Sequence, residues 1–155
     1  MKKKVSGFIV SIAALIALSF APAALAGPRG NNLQGLWDSQ VTLTDCNGNT
    51  IAAFRATEMF HAGGTLTSTD NTPPTLHGPG FGTWERLPGH AYAAPFQFFN
   101  FNPDGSFAGV QKIQRTITVA ADGNSYSSVV TFESYDPDGN LLFSGCGSET
   151  ATRVP

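Results

Sequence analysis

The chain has 155 residues, only 13% of them charged, and a formal net charge of −2. That length suits one domain with a single core. Charge so sparse and slightly acidic leaves no basic footprint, so nucleic acid is not an expected partner.

The N-terminus reads "MKKKVSGFIVSIAALIALSFAPAALAG". Lys2, Lys3 and Lys4 form a basic head, an apolar run follows from about Gly7 to Phe20, and Ala24-Leu25-Ala26 is a small-x-small cleavage site. A signal peptide is expected over residues 1–26, and a single β-barrel domain over 27–155. The alternative is an uncleaved anchor, which so short an apolar run suits poorly. Cleavage leaves no membrane span, and six basic against eleven acidic side chains, a net −5. The expected location is secreted or periplasmic.

Beyond the signal peptide no helical periodicity appears, and apolar residues alternate instead. The first run, about Gly35–Asp45, places Trp37, Ser39, Val41 and Leu43 on one face, and Asn47-Gly48 follows as a hairpin signal. The second run is about Ile51–His61 and the third Thr65–Thr69. "DNTPPTLHGPG", Asp70–Gly80, is a loop, because its three prolines cannot donate to a ladder. "FGTWERL" is the fourth run. "HAYAAPFQFFNF" is the fifth, with Pro95 marking an edge, a bulge or a bend. Phe107–Val119, Ser125–Tyr135 and Leu141–Val154 complete the set, joined by "NPDGS", "AADGN" and "DPDGN" turns.

Eight strands joined mostly by tight turns predict an all-β fold, a single eight-stranded antiparallel up-and-down barrel closed by pairing of its first and last strands, which removes the exposed edges. Cys46 and Cys146 are the only cysteines. In an oxidising compartment they are expected to join across that seam, with an intermolecular bond or two free thiols as alternatives. Setting them opposite one another places Ser39 against Arg153 and Trp37 one diagonal step away.

Gly35-Leu36-Trp37 on the first strand, with Arg153 on the last, resembles the lipocalin/calycin signature. The resemblance implies a tryptophan closing one barrel end, a basic side chain packed over it, and a cavity opening at the other end. "F-H-x-G-G-T-L" (Phe60–Leu66) and "G-x-W-E-R-x-x-G-H-x-Y" (Gly82–Tyr92) also resemble secreted bacterial proteins that bring no activity with them. The chain has no room for the helix many lipocalins pack outside the barrel. It is in this respect similar to smaller calycin-like barrels, among them allene-oxide-cyclase-like and spirotetronate-cyclase-like proteins, some of which fold a flexible substrate inside the barrel. No catalytic residue transfers by motif.

On the sixth run Phe107, Gly109, Gln111, Ile113, Arg115, Ile117 and Val119 share an apolar face, which turns Gln111 and Arg115 inward. A buried arginine needs an acceptor, for which Glu58 and Glu85 are candidates; Arg115 is read as an anion or carbonyl anchor in the cavity, with a structural ion pair or a solvated end-of-strand charge as the alternative. The second run leaves its own orientation open: Phe54, Ala56, Glu58 and Phe60 oppose Arg55, Met59 and His61, and neither face is clearly apolar. Glu58 inside a desolvated cavity is a candidate acid or base, as is His61; an exposed strand charge is the alternative for Glu58. Trp84, Tyr92, Phe96 and Phe132 join Gln111 and Arg115 as expected ligand-binding residues. The histidines match no metal motif, the Asp-Gly turns lack a calcium-loop pattern, and no cofactor or metal is expected. The long loop is read as a lid over the open end or as a disordered crossover.

The expected function is to hold a small apolar or amphipathic molecule in the barrel, with Arg115 and Gln111 orienting its polar end. The alternative is a cyclase or isomerase in the same cavity. The aromatics are too many for one interior, so outer ones either lie under a loop or meet a second copy. The homodimer this allows is checked by size exclusion with light scattering: a dimer mass is expected, and a monomer at high concentration counts against it.

Overall fold

The structure, a computed structural model, describes residues 32–155; the expected signal peptide lies outside them. Period-two alternation carries the chain through ten strands: β1 (Gly35–Thr44), β2 (Thr50–Phe60), β3 (Thr65–Asp70), β4 (Gly80–Thr83), β5 (Glu85–Arg86), β6 (Ala91–Ala93), β7 (Phe96–Phe101), β8 (Phe107–Val119), β9 (Ser125–Tyr135) and β10 (Leu141–Arg153). The described residues contain no helix. All pairings between strands are antiparallel, and β1 pairs with β10, so an eight-stranded barrel closes.

Two short strands exceed the eight expected, and both arise from one interruption. Ala93 pairs with Thr116 and Phe96 with Ile113, three residues further along each strand, so β6 and β7 keep one register against β8. Pro95 breaks that ladder because it has no N–H to give. Likewise β4 and β5 share one register against β7 and β6, through Gly82 with Phe96 and Glu85 with Ala93. The Pro95 carbonyl accepts the Thr83 N–H at 3.1 Å. Gly82 leaves room for this crossing: a Cβ there would stand 2.0 Å from the Pro95 oxygen.

The seam runs from Trp37 opposite Arg153 to Thr44 opposite Cys146. This is two residues off the expected register, because Cys46 lies beyond the strand, in the left-handed region at φ 63°, where the chain has already begun to turn. An even slip keeps every side chain on its expected face. The Cys46–Cys146 disulfide bridges Cα atoms 4.8 Å apart.

One end of the barrel is packed solid. Leu33, Trp37, Phe60, Leu66, Tyr92, Ile117 and Tyr126 are all buried there. Trp37 donates its indole N–H to the Leu33 carbonyl at 2.8 Å. Arg153 lies over the Trp37 ring, 4.2 Å from its centroid, and donates to the carbonyls of Asn32, Gln34 and Gly123. Gly35 belongs to this clasp: its φ is 128°, and a Cβ would meet Arg153 Nη1 at 2.6 Å. Each large side chain fully buried here contributes about 1.5–3 kcal/mol.

Phe107 does not follow the rest of its expected face. A bulge where β7 meets β8 turns it outward, 43% exposed, against Phe99 and Phe101. The Asp70–Gly80 loop is tied to the end of β7: Gly78 N–H donates to Phe99 O at 2.9 Å and Phe101 N–H to Leu76 O at 2.7 Å.

The disulfide closes a loop of 100 residues. Its removal in Cys46→Ser/Cys146→Ser is expected to cost about 4 kcal/mol of unfolding free energy, since the unfolded chain regains that much freedom. Urea denaturation of the variant against the oxidised protein measures this; an unchanged midpoint would contradict it.

Candidate functional site

At the floor of the open half, strand alternation gathers polar side chains among apolar ones. Ser39 on β1, Glu58 on β2, Arg115 on β8, Tyr126 and Ser128 on β9, and Glu149 on β10 are all buried. The ambiguity of the second run resolves here: Phe54, Ala56, Glu58 and Phe60 turn inward, while Arg55 and His61 are exposed.

Arg115 Nη1 donates to Glu58 Oε1, and to Glu149 Oε2 at 3.1 Å. Its Nε donates to Ala94 O at 3.3 Å, and its Cζ lies 4.7 Å from the Phe96 ring centroid. Ser128 donates to Glu149 Oε2 at 2.9 Å and Ser68 to Glu58 Oε1 at 3.3 Å. Arg115 Nη2 is buried and meets no acceptor among the described residues.

Tyr126 Oη stands 2.6 Å from Glu58 Oε2 and 2.7 Å from Glu149 Oε1. A phenol carries one proton. Both contacts can be hydrogen bonds only if one carboxyl is protonated and donates to the phenol oxygen. Burial pushes the Glu58 carboxyl up and the Glu149 charge adds to this, against the pull of the Arg115 charge and its hydrogen bond. Burial acts on Glu149 in the same direction, but the Arg115 charge and the hydrogen bonds from Tyr126, Ser39 and Ser128 outweigh it and hold that carboxyl low. Of the two carboxyls, Glu58 is the one held up and Glu149 the one held low, so Glu58 takes a proton before Glu149 does. Burial, then the two carboxylates, push the Tyr126 phenol well up, so it stays neutral.

Between this floor and the mouth lies a cavity of 270 Å³. Val41, Leu43, Phe54, Phe98, Ile113 and Val130 form apolar walls, and Ile51 and Phe143 stand at the rim. Glu58, Ser68, Gln111, Arg115 and Glu149 supply its polar surface from below. The Gln111 side chain has no hydrogen-bond partner among the described residues. The long loop contributes His77, which faces Asp70 Oδ1 and the Gly78 carbonyl, each at 2.8 Å, and lies against Phe98.

Of the residues expected to bind ligand, Gln111, Arg115, Phe96 and Phe132 line this cavity. Trp84 and Tyr92 lie at the packed end, in edge contact with each other and with the core around Phe60. His61 is outside, its Nε2 3.0 Å from Thr67 Oγ1, and cannot reach the interior from there. Glu85 is exposed on β5 and is not a partner of Arg115. Glu149, Tyr126, Ser39 and Ser128 were not expected in the cluster. Glu149 sits opposite Val41, on the face the seam register already assigns inward.

No protein-family model matches this chain, and no curated protein sequence matches it. Among the described residues, no three metal-ligating side chains gather. At the "DPDGN" turn the Asp136 carboxylate accepts the backbone N–H groups of Asp138 and Asn140, at 3.0 and 2.8 Å.

A raised Glu58 makes the folded state bind a proton the unfolded chain releases, so stability falls as pH climbs from the ordinary glutamate range through the Glu58 value. The expected slope is at most about 1.4 kcal/mol per pH unit. Glu58→Gln should flatten that fall. Urea midpoints across this range test it; identical slopes in the two proteins would count against a proton held by Glu58.

Proposed function

We propose that this chain is a lipocalin-like binding protein that encloses a small amphipathic molecule in its barrel. The observation that carries this reading is the apolar-walled cavity of 270 Å³ whose floor holds an arginine with an unused donor. The closed end supports the calycin relationship: the G-x-W tryptophan seals it and Arg153 stacks over the ring. The disulfide supports export, because such bonds persist in oxidising compartments.

Native mass spectrometry of protein purified from its own host, followed by extraction, tests the reading. A retained apolar compound is expected. Ala56→Phe, placed on the cavity wall, should keep the fold and weaken that compound at least tenfold. Wild-type and variant proteins of equal affinity would place the compound elsewhere.

The split between a raised Glu58 and a lowered Glu149 favours a second reading, an isomerase or cyclase in the same cavity with Glu58 as the acid. Conversion of the retained compound on incubation, lost in Glu58→Gln without loss of binding, distinguishes it. A compound recovered unchanged leaves the binding reading alone.

A further inference from the structure

Charge balance at the cavity floor selects among amphipathic guests. Arg115 brings one positive charge, and two carboxyl groups, Glu58 and Glu149, stand against the same Nη1. The single Tyr126 proton set between two carboxyl oxygens requires one further proton on the pair. The floor is then neutral: one guanidinium, one carboxylate and one carboxylic acid. Among the described residues, no lysine or second arginine lines the cavity.

A carboxylate-headed guest arriving here meets an arginine already matched by Glu149, with a second carboxyl alongside. Its charge would be buried uncompensated beside a like charge. A cationic head meets the guanidinium at the floor, and the other carboxylate lining the cavity, Asp70, already faces His77 at 2.8 Å and accepts the Thr72 N–H at 2.7 Å. A neutral head needs no counter-charge. Arg115 Nη2 has a proton to donate and no acceptor for it, and the Gln111 amide can donate or accept. Both suit a carbonyl or hydroxyl oxygen.

We infer that the cavity takes an uncharged guest, an apolar body ending in a hydroxyl or carbonyl group that bonds the polar floor at Gln111 and Arg115, and rejects the carboxylate of the same chain. The inference rests on the binding reading above and narrows it.

Decanol, decanoate and decylamine share a chain and differ in head-group charge. Calorimetric titration of each into the disulfide-intact mature protein at neutral pH separates the cases. Decanol is expected to bind at least tenfold tighter than either charged analogue. Saturable binding in which decanoate or decylamine equals or exceeds decanol overturns the inference while leaving a binding cavity in place. Saturable binding of none of the three overturns the cavity reading and this one together. Glu58→Gln/Glu149→Gln leaves Arg115 unmatched and should turn the preference toward decanoate; a folded double variant that still prefers decanol by the same ratio also overturns the inference.

Discussion

A guanidinium sealed inside the barrel is the constraint around which the open half is organised. An unmatched charge in such a place is expensive, so it must be surrounded by acceptors on fixed strands. β2 and β10 supply carboxyls, β9 supplies a phenol and a hydroxyl, and β6 leads into the carbonyl of Ala94. These groups come from parts of the chain far apart in sequence and meet only when the sheet has closed. The polar floor is thus both a product of closure and a marker that divides the interior, with solid packing on one side and open space on the other.

Much of this was legible in the residues. Alternation on the sixth run turned Arg115 and Gln111 inward, and two cysteines a hundred residues apart implied the seam. The same seam carried Glu149: once Val41 faces in, its opposite number on β10 does too, and that consequence needed only the register. What alternation could not decide was β2, where an inward row of Phe54, Ala56, Glu58 and Phe60 looks little more apolar than its outward row. Burying Glu58 becomes intelligible only with Arg115 and Tyr126 placed beside it, which is tertiary information.

Aromatic content was a poorer guide than position along the strand. Trp84 and Tyr92 are as large and apolar as Phe96 and Phe132, yet they fill the sealed end and the latter pair lines the open one. The side of the Pro95 interruption separates these roles: Trp84 and Tyr92 lie toward β5 and β6, while Phe96 and Phe132 share the Ile113 level on the β7 side, and no composition argument contains it. The bulge that everts Phe107 belongs to the same class of effects, since one extra residue reverses the face of whatever follows.

The ladders around the barrel are not equal. β1 and β10 are joined along eight residue pairs from Trp37 to Thr44, with Arg153 clasped at one extremity and the disulfide at the other. β4 and β7 share only two pairs, Phe81 with Gln97 and Gly82 with Phe96. A wall stitched so unevenly yields on one side. The seam is thus held from both ends, whereas the β4–β7 contact leans on a neighbour, the long loop whose Gly78 and Leu76 bond the backbone of Phe99 and Phe101.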